Sequence, residues 1–246
     1  MYQLLRGLLR RLKRLIRAAL GEDFFPRIQV RYPTTRLGST YGGWEIIAES
    51  LISESIVYSF GVGTDISFDL ALIDRFGVTV HAFDPTPQSV AWVRKQSVPH
   101  RFILHEFGLA DFDGEVSFNP PENPDHISHT ALDRPETEEQ SFRVPVKQLS
   151  TILAELGHTR IALMKMDIEG SEYRVIEFLG RTDIRPVQLL IEFHHRFQGV
   201  GLKETQRSLQ QLRQMGYKLF SVSESGEEFG FVYHPGSIKP DLLIGI

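Results

Sequence analysis

Between residues 56 and 233, short apolar runs of strand length alternate with longer stretches whose apolar residues recur every three or four positions. That alternation marks β–α–β units and a parallel sheet. The runs predict strands near 56–60, 78–83, 101–106, 161–166, 187–193, 217–222 and 229–233, and helices near 44–54, 66–76, 87–97, 148–156, 170–180 and 203–215. The last two strands are separated by Glu224-Ser225-Gly226-Glu227, turn residues that suit an antiparallel hairpin. The expected core is α/β and doubly wound, a mostly parallel seven-stranded sheet with its last strand antiparallel.

Two regions depart from this rhythm. Over residues 1–20, Leu5, Leu8, Leu9, Leu12, Leu15, Ile16 and Ala19 recur at helical spacing, with Arg6, Arg10, Lys13, Arg14 and Arg17 on the opposite side. This is a basic amphipathic helix, suited either to an anionic membrane surface or to packing on its own domain or a partner. Residues 21–43, with Pro26, Pro33 and a glycine-rich turn, read as an irregular connection, and 44–246 as the main domain. The second departure lies at 111–145, where a short hairpin at Asp113–Phe118 leads into a proline-rich acidic loop carrying His126 and His129. Such a loop suits a lid, with those histidines, Tyr41 and Trp44 available for stacking or hydrogen bonding.

Charge and composition narrow the classes. The first 20 residues hold six basic side chains and no acid, so the rest of the chain has a net charge of −10, a poor match for nucleic acid. Cysteine is absent, which excludes disulfide frameworks and thiolate chemistry and fits a reducing cytoplasm, with peripheral contact at the inner membrane face open to the basic helix. No run approaches the roughly 18 apolar residues of a membrane span.

The chemistry concentrates in three motifs. Ser59-Phe60-Gly61-Val62-Gly63-Thr64-Asp65 follows a predicted strand, where glycines let backbone approach a ligand. A dinucleotide fingerprint would place glycine where Ile66 stands, and Asp65 would repel a pyrophosphate. A ligand with a cationic centre and no phosphate tolerates that acid better, as S-adenosyl-L-methionine would. The second predicted strand ends in Asp84, placed to accept ribose hydroxyls or to cap the helix that Asp84-Pro85-Thr86-Pro87 begins. The third motif, Lys165-Met166-Asp167-Ile168-Glu169-Gly170-Ser171-Glu172, brings two acids to the carboxyl edge of the sheet. The helix dipole alone could account for acids at that position.

These motifs, with the Gly108-Leu109-Ala110-Asp111-Phe112-Asp113-Gly114 stretch and Leu190-Ile191-Glu192-Phe193-His194, resemble the FkbM-type S-adenosylmethionine-dependent methyltransferases over about residues 40–235. The resemblance implies a class I, Rossmann-like methyltransferase fold and O-methylation of a sugar, glycan or natural-product hydroxyl. It implies that Gly61 and Gly63 lie under the methionine part of the cofactor, that Asp84 binds ribose, and that Gly108 and Leu109 border adenine. Two positions depart from the pattern common among methyltransferases. Ser59 replaces an acid and Asp65 a glycine, so Asp65 is expected to take an amino-group contact.

Proton removal from a hydroxyl calls for a base at the same sheet edge. His194 has the best intrinsic pKa and is expected to serve, with Asp167 or Glu192 orienting it or the acceptor. Strand alternation puts Glu192 and His194 on one face and His195 on the other. The same three groups could bind a divalent metal, although no metal is assigned. A nicotinamide-dependent sugar enzyme and a non-catalytic membrane-associated protein are the alternatives.

Overall fold

The computed structural model describes residues 2–118, 141–197 and 199–234. In chain order the elements begin with α1 (Tyr2–Ala19), β1 (Thr35–Leu37), β2 (Trp44–Ile46), β3 (Ile56–Phe60), α2 (Ser67–Phe76), β4 (Thr79–Phe83) and α3 (Pro87–Val93). Next come β5 (Phe102–His105), β6 (Gly108–Leu109), β7 (Gly114–Phe118), β8 (Phe142–Lys147), α4 (Leu149–Leu156) and β9 (Leu163–Met166). The series closes with α5 (Glu172–Gly180), β10 (Gln188–Glu192), α6 (Leu202–Gln214), β11 (Tyr217–Val222) and β12 (Glu228–Tyr233).

Seven strands form the main sheet in the order β11-β12-β10-β9-β3-β4-β5. The last strand, β12, runs antiparallel to both neighbours, and the other pairings are parallel. The chain leaves β3 toward β4 on one side and returns through β9 on the other, so the strand order reverses between β3 and β9. Crevices at such reversals are where open α/β sheets bind ligands.

Alternation along each strand supplies two cores, because successive side chains point to opposite faces. Val57, Val80, Leu163 and Leu190 pack with Phe68 and Leu72 of α2, while Tyr58, Met164, Met166 and Ile191 pack with Ile152 of α4 and Val175 and Ile176 of α5. Parallel strands covered on both faces read as continuous apolar runs, which is why they are legible in the sequence.

Three expectations are corrected. The helix expected at 44–54 is instead β2, paired antiparallel with β1, followed by a short helical turn at Ala48–Ser50. Trp44 and Ile46 are buried around an exposed Glu45, and the buried amide of Gln188 bonds both backbone polar groups of Ile47, so its N–H is committed across the fold. The helix expected at 87–97 stops at Val93 and loosens into three-residue turns ahead of Pro99. The hairpin expected at Asp113–Phe118 is a single strand, β7, pairing antiparallel with β8. Asp113 instead accepts hydrogen bonds from Gln148 N (2.8 Å) and Thr151 Oγ1 (2.7 Å) at the start of α4. Strand β8 escapes sequence reading because Pro145 interrupts it, and proline argues against a central strand. The loop with His126 and His129 lies outside the described residues.

Candidate active site

The turn after β3 is shaped by close backbone contact. Gly61 has φ +79°, and a Cβ there would overlap the carbonyl oxygen of Asp167, so no side chain fits. Gly63 (φ +57°) has nothing within 4 Å of where a Cβ would stand, which leaves an open cradle. Asp84, 4% exposed at the end of β4, ties this turn: Oδ2 accepts from Val62 N (3.1 Å) and Gly63 N (2.9 Å), and Oδ1 from Thr86 N (2.8 Å). One carboxylate therefore organises the glycine turn and also the entry to α3.

Asp65 is committed to its own surroundings, accepting from Ser39 Oγ (2.6 Å) and Ser67 N (2.9 Å). Burial opposes its ionisation, but those hydrogen bonds win and hold the carboxyl below its ordinary range. Ser59 departs from the sequence expectation. It is fully buried in β3 and is not itself among the residues that line the cavity, because the strand alternation that gives Phe60 to one core turns Ser59 to the other face, beside Asp69. Its hydroxyl lies beside the buried carboxyl of Asp69, whose ionisation it favours. Burial raises the Asp69 pKa, partly offset by Lys165. Lys165 itself donates to Gly61 O (2.6 Å), lies 3.7 Å from Asp167 and sits beneath the Trp44 ring. Nothing in the local sequence pattern singles out that lysine.

The third motif folds around Glu172. This residue is wholly buried and accepts hydrogen bonds from Ile168 N (2.9 Å) and Gly170 N (3.1 Å), closing a turn in which Glu169 takes φ +53°. Glu172 also receives His194 Nδ1 at 3.0 Å, which points Nε2 at Glu169 Oε2 (3.4 Å) and Asp167 Oδ1 (3.8 Å). Burial alone would strip His194 of its proton, but Glu172, then Glu169 and Asp167, outweigh it and raise its pKa well above the ordinary value. That upward shift weighs against His194 as the group that takes a proton, because an imidazolium has no lone pair to offer. Sequence reading assigned Glu172 no role, although its position in the Asp-x-Glu-Gly-x-Glu run was the available signal. His195 faces away, buried toward Asp23, with its pKa lowered to about 4 first by burial and then by Arg196.

These groups line one cavity of about 1360 Å³ with Gly61, Gly63, Asp65, Asp84, Gly108, Leu109, Asp167, Glu192 and His194 on its walls. Trp44 and the 88%-exposed Tyr41 border it as well. Among the described residues, Asp167, Glu192 and His194 bring ligand atoms within 4.8 Å of one another, a spacing that one divalent cation could bridge.

Glu192 is pushed from 4.5 to about 9, first by burial and then by Asp167. Between those values the folded protein holds a proton that the unfolded chain has lost, so stability falls as pH rises through the window. Glu192→Gln removes this dependence. Its melting temperature is expected to decline less steeply from about pH 5 to about pH 9 than that of the wild type, finishing several degrees higher at the alkaline end. Thermal scans across the range check this, and parallel profiles would show Glu192 ionised in the folded protein.

The sheet order, the antiparallel β12 and the glycine turn at the strand-order reversal define a class I, Rossmann-like methyltransferase fold. Residues 56–219 match the Methyltransferase FkbM domain, and the chain belongs to that family of methyltransferases. It is 28% identical over 170 residues to the 31-O-demethyl-FK506 methyltransferase FkbM of Streptomyces tacrolimicus, covering 56% of this chain and 65% of that protein. It is 24% identical over 174 residues to the probable methyltransferase-like protein 24 of Rattus norvegicus, covering 67% of this chain and 42% of that protein. The chain thus spans less than two thirds of either relative's length. A crystal structure of methyltransferase FkbM from Methylobacillus flagellatus KT aligns with a TM-score of 0.46 at 14% identity, covering 74% of this chain and 44% of that one. The cofactor is S-adenosylmethionine, and the nicotinamide-dependent reading is set aside.

The walls fit that cofactor. An open cradle at Gly63, a buried carboxylate at Asp84 and the acids Asp167 and Glu169 share its lining, and the acids favour a cationic centre.

Proposed function

We propose that the domain methylates a hydroxyl oxygen of a sugar, glycan or natural product, with Asp167 as the proton acceptor. The observation that carries this reading is the position of Asp167: its N–H bonds Phe60 O (3.1 Å), its carbonyl lies against Gly61, and its carboxylate stands on the cavity wall. The acid is thus fixed to the turn that cradles the cofactor. The name of the Streptomyces relative denotes an oxygen acceptor, which supports the same class of reaction.

S-adenosylmethionine, when bound, supplies an electrophilic methyl group on a positively charged sulfur. Gly61 and Gly63 would lie under its methionine part, Asp84 would accept from ribose hydroxyls, and Gly108 and Leu109 would border adenine. Asp65 holds the turn through Ser39 and Ser67 and keeps acceptor positions free for the cofactor's amino group. Asp167 takes the hydroxyl proton as oxygen attacks. His194, held by Glu172 through Nδ1 (3.0 Å), stands beside that carboxylate with Nε2 3.8 Å from Asp167 Oδ1 and acts on it by charge. Glu192, neutral at pH 7, can donate a hydrogen bond to the acceptor oxygen. Positioning of this kind supplies much of the acceleration in a displacement reaction.

The test is transfer of a labelled methyl group to a panel of glycosides and macrolides with free hydroxyls, beside the same compounds with those hydroxyls blocked. Label confined to free-hydroxyl members is the expected result. Label on blocked compounds, or on amines alone, would overturn the oxygen assignment.

A further inference from the structure

Helix α1 is attached to the body by its polar side. A surface helix ordinarily turns its apolar stripe inward. Among residues 11–19, the part of the helix whose side chains are described, the buried one is Arg14, 7% exposed, which donates to Phe24 O (2.8 Å) and Ser223 O (3.1 Å) and faces Asp23 at 3.5 Å. Arg11, on the same side, reaches Glu224 at 3.4 Å. The apolar stripe points outward: Leu12, Leu15, Ile16 and Leu20 are 52, 56, 55 and 68% exposed. Their spacing places all four on one face. Exposed Lys13 and Arg17 flank that face on one side and Arg11 on the other.

We propose that this face docks on the surface of an anionic phospholipid bilayer. The leucines and isoleucine enter the acyl boundary while Lys13, Arg17 and Arg11 meet headgroup phosphates, the arrangement by which interfacial helices bind. Among the described residues no helix is long and apolar enough to cross a membrane, so the contact is peripheral. A second copy of the chain is a poorer occupant, because face-to-face pairing would set each stripe's flanking cations against those of its partner. Arg11 also borders the large cavity, so docking would bring the bilayer beside the site. The proposal is independent of the reaction proposed above.

The test is co-sedimentation of the full chain, without substrate, with phosphatidylcholine vesicles and with vesicles that also contain phosphatidylglycerol. Sedimentation with the anionic vesicles alone, weakened by salt, is the expected result. The double variant Leu15→Glu/Ile16→Glu should lose more than about tenfold in partitioning, and Lys13→Glu/Arg17→Glu more than about fivefold. Both pairs are exposed and should leave S-adenosylhomocysteine binding unchanged. Binding to neither vesicle, equal binding to both, or wild-type partitioning by Leu15→Glu/Ile16→Glu would overturn the proposal. So would a wild-type dimer that ignores vesicles and that the leucine–isoleucine variant dissociates.

Discussion

Asp84→Ala is expected to weaken binding of S-adenosylmethionine and S-adenosylhomocysteine by at least about 100-fold in calorimetric titration. The carboxylate accepts three backbone N–H groups, two of them from Val62 and Gly63 in the turn that cradles the cofactor. Hydrogen bonds to a charged group contribute about 1.5–3 kcal/mol each, and removing the acceptor also leaves buried N–H donors unpaired. Without the two turn bonds the unliganded turn is no longer held in shape, so binding must reorder it, and any ribose contact is lost as well. Asp84→Asn separates shape from charge, since an amide keeps one acceptor oxygen but turns a donor toward donors. It should bind with intermediate affinity and keep the wild-type circular dichroism spectrum. A folded Asp84→Ala protein that binds within about threefold of the wild type would mean that this acid does not organise the cofactor site.

Asp167→Asn is expected to lower kcat by about 10²–10⁴-fold, the usual contribution of a general base, while cofactor affinity changes little. The substitution preserves size and leaves the backbone contacts to Phe60 and Gly61 in place, so the loss should reflect the missing proton acceptor. His194→Gln should cost less, because His194 stands 3.8 Å from Asp167, beyond hydrogen-bond reach, and acts on it only through its field. Single-turnover assays of the two variants, each titrated with cofactor, provide the comparison. Asp167→Asn at more than a tenth of wild-type rate would end the assignment. A chelator that silences the wild type, reversed by magnesium, would place a divalent ion among Asp167, Glu192 and His194 and make the aspartate a ligand instead.

The parallel core strands were legible because burial on both faces writes unbroken apolar runs such as Ile56-Val57-Tyr58 and Leu189-Leu190-Ile191. The hairpin of β11 and β12 was legible from its turn residues, and the positions of Asp84 and Asp167 just past strand ends from the apolar runs that precede them. Segment 44–54 misled because its helical appearance is local, whereas the Gln188 side chain that holds Ile47 lies 141 residues away. Strand β8 was hidden by Pro145, whose missing donor matters only once its partners are known.

The sequence by itself determined the fold class, the glycine turn, the acids at the carboxyl edge and the amphipathic character of the first helix, since each follows from local periodicity or from residue type at a strand end. Only the tertiary structure decided the charge state and the direction of the groups. The pKa of His194 is raised because Glu172, Glu169 and Asp167 converge on it, and that of Glu192 because burial and Asp167 together outweigh His194. Ser59 turned out to lie beneath the site, and Arg14 to hold α1 with its leucines outward. Burial and Coulomb interactions depend on distances between residues far apart in the chain, and those distances exist only after folding.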